Sequence, residues 1–91
     1  MKDNLFQKII DRKLPADIVY EDDQCLVFND INPVAPIHLL IIPKKRINQL
    51  SMVDEEDQSL MGHLLLVANK VAKQLGVEDA FRLVVNNGEG A

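Results

Sequence analysis

Apolar positions change their period several times along the chain. From Asn4 to Lys13 they fall at Leu5, Phe6, Ile9 and Ile10. That spacing predicts a short helix, with Asp3 or Asn4 available as its N-cap. Leu14–Pro15 stops it, because a residue before proline is pushed out of the helical region. Ile18–Tyr20 and Gln24–Asn29 are short apolar runs on either side of the polar turn Glu21–Asp22–Asp23, which predicts a β-hairpin. Asp30 follows directly. A loop stiffened by Pro33 and Pro36 then leads to His38–Ile42, nearly continuous apolar, which predicts a strand covered on both faces. Pro43 ends that strand, and Lys44, Lys45 and Arg46 form a basic cluster after it.

The second half opens on the acidic, polar stretch Ser51–Asp57, suited to the positive end of a helix. The helix is predicted from Asp54 or Glu55 to Leu75, with Gly76 at the C′ position. Leu60, Met61, Leu64, Leu65, Ala68, Val71, Ala72 and Leu75 form its apolar stripe, and Leu66 and Val67 widen it. One face can pack on a sheet, and the other needs a second cover, for which a partner subunit is the simplest. His63 lies at the stripe's margin and reads as structural or interfacial. Phe81–Asn86 predicts a strand, with Phe81, Leu83 and Val85 on one face and Arg82, Val84 and Asn86 on the other. The glycine-bearing segment after it either approaches a phosphate with its backbone N–H groups or forms a plain turn.

Composition narrows the class. The 91 residues fit one domain, and a chain this short buries a small fraction of its surface. The net charge of −4, with acidic residues spread along the chain, argues against a general binder of nucleic acid or membrane surfaces. No apolar run spans a bilayer and no signal-peptide pattern opens the chain, so the cytoplasm is the expected compartment. Cys25 is the one cysteine. It allows no intrachain disulfide and no cysteine-built metal site, and reads as a small buried hydrophobe.

Asp30 and His38 are the candidate chemistry. A carboxylate at a strand end can accept two hydrogen bonds from a diol such as the ribose hydroxyls, and it can equally cap the turn Asp30–Ile31–Asn32–Pro33. A histidine opening a strand is either a site residue or a structural one. Phe6, Ile9 and Leu14 either wall a pocket or pack the short helix on the domain. The cations at 44–46 either attract a phosphate or form a solvated edge.

Taken together, PADIVYEDD (Pro15–Asp23), FNDINPVAPIHLLIIPKKRI (Phe28–Ile47), the Ser51–Gly76 helix and RLVVNNGEG (Arg82–Gly90) resemble the histidine-triad (HIT) family. The likeness is to its Hint branch of purine-nucleoside-binding proteins, and it begins at Leu5–Phe6. It implies an α+β fold, a meandering antiparallel sheet with one long and one short helix. It also implies a homodimer through the helix at 55–75 and an edge of the sheet. The family reaction it implies is hydrolysis of nucleoside 5′-phosphoramidates or related phosphoanhydrides through a nucleotidyl-histidine. Carried over residue by residue, Asp30 holds the ribose hydroxyls and Ile31 lines the nucleoside pocket. Phe6, Ile9 and Leu14 contribute to the base wall, His38 supports the phosphate end, and Asn86 hydrogen-bonds at the phosphate side.

The sequence departs from the family in one large respect. A His-x-His-x-His run on a final strand, beyond a phosphate loop, names the family. Here the histidines are His38 and His63, and neither stands in such a pattern. The expectation is therefore a single HIT-like domain over 1–91, C-terminally truncated and missing its last strand, with no catalytic residue of its own. It is a short gene product, a trimmed one, or a longer protein whose tail lies outside the sequence. Asn4 and Gln7 stand where bacterial relatives carry zinc-binding cysteines, so neither metal nor cofactor is expected. The implied function is purine-nucleotide binding with the chemistry lost. A non-enzymatic assembly module, dimeric or strand-swapped, is the alternative.

Overall fold

A strand is stable only where a neighbour completes its hydrogen bonds, and the first half of the chain supplies such neighbours in sequence. The structure, a computed structural model, describes residues 8–11, 15–47, 49–88 and 90–91. It divides into two units, residues 2–46 and 47–91.

In the first unit β1 (Ile18–Glu21), β2 (Cys25–Asn29) and β3 (Leu39–Pro43) form a three-stranded antiparallel sheet in the order β1-β2-β3. Ile18 faces Phe28 and Tyr20 faces Val27, so β1 carries one extra residue there, a bulge. β2 and β3 run in unbroken register from Cys25 opposite Pro43 to Asn29 opposite Leu39. Leu26 and Phe28 share one face of β2, opposite Ile42 and Leu40. Ile9, from the helical turn at residues 8–10, joins Leu26, Phe28 and Ile42 in the core, with Ile10, Ala16 and Leu40 packed against it. Cys25 and Val27, on the other face, are also fully buried.

The strand covered on both faces is thus β2 and not the His38–Ile42 run. In β3 Ile42 is buried while its other residues are half-buried. The reason is position: β2 is central and β3 lies at the edge of this sheet. Of the short helix expected over Asn4–Lys13, residues 8–10 are helical; its proposed caps Asp3 and Asn4, together with Phe6 and Leu14, lie outside the described residues.

In the second unit, 3-10 turns at Leu50–Met52 and Glu55–Asp57 lead into α1 (Gln58–Gln74). Asp54 accepts a hydrogen bond from the Glu56 N–H at 3.0 Å, and the Asp57 carboxylate reaches back to the Asp54 N–H. This capping box satisfies donors that the first turn leaves unpaired. At the other end Gly76 has φ +73°, Val77 N–H donates to Ala72 C=O and Gly76 N–H to Lys73 C=O. Those two bonds make a Schellman stop, which needs a left-handed residue at the glycine. The buried residues of α1 are Val67, Val71 and Ala72, whereas Leu65 and Leu66 are exposed. The apolar stripe is therefore centred on Val67, and Leu65 lies outside it. Among the described residues no helix is long and apolar enough to cross a membrane.

Phe81–Asn86 is not a strand. Its residues carry no ladder, and Phe81, Leu83, Val84 and Val85 are all exposed. The alternation of side chains supplies the propensity, but among the described residues no segment pairs with it. The segment is tied at its far end, where Asn87 Oδ1 accepts a 2.7 Å hydrogen bond from the Ser51 N–H.

Candidate functional site at the loop between β2 and β3

The loop is closed at its neck by its own ends. Asp30 N–H donates to the His38 carbonyl at 2.9 Å, extending the β2–β3 ladder by one rung. Residues 31–37 bulge beyond that rung and are exposed throughout, Ile31 to 87% and Val34 to 88%.

Two side chains organise this loop. The Asp30 carboxylate accepts the Asn32 N–H on Oδ1 at 2.9 Å, an Asx-type turn. Its Oδ2 lies 3.3 Å from His38 Nε2. The opposite ring nitrogen, Nδ1, accepts the Val34 N–H at 3.1 Å. The turn role considered for Asp30 is therefore real, yet it uses one acceptor position of a group that offers about four. The side chains of His38 and Asp30 remain 28% and 21% exposed, enough for a ligand to reach the carboxylate. Behind them Asn29 is pinned to Asp17 twice, through its backbone N–H at 3.0 Å and its side-chain amide at 2.7 Å. The turn bond to Asn32 N–H was open to the sequence, whereas this brace and the Val34 N–H were not.

The other expected site residues distribute differently. Ile31 is beside Asp30 and turned to solvent, where a ligand can meet it. Ile9 is packed in the core with only 7% of its surface accessible. Asn86 is exposed on the irregular segment of the second unit. Within the basic cluster, Lys44 is committed to Glu21 at 2.7 Å.

Cys25 is no nucleophile. Burial pushes its thiol up to about 12, and the carboxylate of Asp22 adds to the effect. Tyr20, whose hydroxyl donates to Asp22 Oδ2 at 2.9 Å, is likewise raised, chiefly by that hydrogen bond.

The fold that carries this loop has counterparts among known proteins. The model of the HIT domain matches residues 11–91. The chain belongs to the HIT family. A HIT-like protein of Synechocystis sp., itself uncharacterised, is 60% identical over 87 residues, which are 96% of this chain and 76% of that protein. A HIT family hydrolase from Clostridium thermocellum superposes with a TM-score of 0.89 at 42% identity, covering 97% of this chain and 78% of that one. A histidine triad nucleotide-binding protein from Candida albicans superposes at 0.73 with 29% identity, over 86% of this chain and 52% of its own. The α+β fold, an antiparallel sheet with one long helix, is that of these HIT neighbours.

Proposed function

We propose that this HIT-family chain binds a purine nucleoside or nucleotide, gripping the two ribose hydroxyls with Asp30. The observation that carries the reading is the state of that carboxylate. It is fixed by Asn32 and His38, is partly exposed, and keeps acceptor positions open toward solvent. A vicinal diol presents two donors at the spacing of one carboxylate. The nucleotide-binding description of the Candida albicans relative supports the same reading, as does the apolar Ile31 next to the carboxylate. The resemblance puts Phe6, Ile9 and Leu14 at the base and Asn86 on the phosphate side.

Turnover is a separate matter. The family reaction needs an imidazole aligned on phosphorus and a second group to orient it. His38 and His63 are the histidines of these 91 residues, and His38 has both ring nitrogens engaged within its own loop. The 91-residue chain accordingly binds without cleaving. The same reading makes it a cytoplasmic homodimer, paired through α1, whose exposed Leu65 and Leu66 have an apolar surface to cover.

Titration with adenosine and AMP, followed by amide NMR, tests the binding. Shifts should centre on Asp30 and Ile31, and 2′-deoxyadenosine should bind more weakly. Asp30→Ala should cost at least about tenfold in affinity, the scale of one hydrogen bond to a charged group. Absence of shifts around Asp30 with both ligands overturns the proposal. Release of AMP from a nucleoside phosphoramidate by the 91-residue chain overturns the claim of binding without cleavage.

A further inference from the structure

We propose that His38 is a positioning residue that clamps the 30–38 loop through one tautomer, neutral with the proton on Nε2, and so aims the Asp30 carboxylate. The sequence likeness put His38 at the phosphate end of a site; the geometry gives it a different task. A backbone N–H can only donate, so the ring nitrogen it meets must carry a lone pair. Val34 N–H meets Nδ1 at 3.1 Å. In the neutral ring the proton then sits on Nε2, the nitrogen that stands 3.3 Å from Asp30 Oδ2. One ring thus takes a donor from the middle of the loop and turns its own donor side toward the carboxylate at the loop's start. The backbone closes the same circuit, since Asp30 N–H bonds to the carbonyl of His38 itself.

The consequence for Asp30 is directional. Oδ1 is held by Asn32 N–H and Oδ2 by the imidazole edge, so the carboxylate plane cannot turn freely about its terminal bond. An anchored plane keeps its remaining lone pairs in one orientation, which lowers the ordering cost of binding a rigid diol. This part rests on the nucleoside reading above; the clamp itself does not.

Two substitutions separate the halves of the clamp. His38→Asn keeps an acceptor close to the position of Nδ1 and loses the group at Nε2. His38→Gln reaches toward the position of Nε2 and loses the nearby acceptor. Three measurements on the 91-residue chain read the result. In long-range nitrogen–proton spectra of the native protein, Nδ1 should resonate as the lone-pair nitrogen and Nε2 as the protonated one. Exchange of the Val34 amide should quicken by about tenfold in His38→Gln, the worth of one such hydrogen bond, and much less in His38→Asn. Both variants should weaken adenosine and AMP by the same factor, because the clamp acts on the sugar grip and not on phosphate.

A proton on Nδ1, or Val34 exchange unchanged in His38→Gln, overturns the clamp. Loss of AMP affinity without loss of adenosine affinity returns His38 to the phosphate and overturns the positioning role. If the native chain binds no nucleoside, the proposed function fails, while the tautomer and the Val34 exchange still decide the clamp.

Discussion

Asp22 and Asp30 solve the same local problem at opposite ends of β2, and their difference shows what makes one of them a site. Asp22 Oδ1 accepts the N–H groups of Gln24 and Cys25, at 2.8 and 2.9 Å, and Oδ2 takes the Tyr20 hydroxyl. Both of its oxygens serve the hairpin. Asp30 gives one oxygen to its turn and faces His38 and solvent with the other. Both aspartates can cap a turn by sequence; the partner of the second oxygen separates them. Burial, with the Asp22 carboxylate beside it, also sets the chemistry of Cys25. With the thiol pushed up to about 12 from an ordinary 9.0, the folded state keeps a proton that the unfolded state loses on passing pH 9. The unfolded chain then binds fewer protons, so stability falls as pH rises from about 9 toward 12. Tyr20, raised from an ordinary 10.0, acts in the same direction once the pH passes 10. Urea denaturation at a series of pH values should show this alkaline loss. In Cys25→Ala the fall should be shallower, whatever the variant costs in absolute stability. An identical slope in both proteins would falsify the linkage.

At the level of elements, what could be read in advance was whatever is encoded locally. The hairpin followed from two apolar runs around an acidic turn, and α1 from its stripe, its acidic start and Gly76. These signals act within a few residues, and the capping box and Schellman stop are their structural form. Gly76 is the sharpest case. At φ +73° a side chain is strained whatever space surrounds it, and nothing lies within 4 Å of where a Cβ would stand. Gly76→Ala should therefore cost about 1 kcal/mol through the backbone alone. Thermal or urea unfolding reads that loss, and α1 should keep its helical circular dichroism. A variant as stable as the parent would show that the stop is set by the hydrogen bonds and not by the glycine. What could not be read was relational. Whether β2 or β3 is the covered strand depends on strand order. Whether Phe81–Asn86 is a strand depends on a neighbour that its own alternation cannot supply. The loop site was legible as far as Asp30 and His38, but not the Val34 bond that gives the histidine its direction.

At the scale of the whole molecule, the open question is what covers α1. Its buried side is centred on Val67 and Val71, yet Leu65 and Leu66 leave 57% and 69% of their surfaces to water. Gly62 precedes them by about one turn on the same side, and a Cβ there would meet nothing within 4 Å. A glycine one turn before two exposed leucines lets another helix approach closely, and two copies of one such face are self-complementary about a two-fold axis. The homodimer proposed for this HIT domain uses that face. Sedimentation of the native chain should therefore give a dimer. Leu66→Glu places two like charges at the proposed contact and removes two leucines from it, so the variant should sediment as a monomer. Since Leu66 is exposed in the single chain, its helical content should not change, which separates loss of association from loss of folding. A native monomer, or a Leu66→Glu dimer of undiminished affinity, would place the contact elsewhere. Adenosine affinity measured on the monomeric variant then tells whether the Asp30 site works within one subunit. Because the clamp around Asp30 is built wholly from residues 30–38, that affinity should survive dissociation.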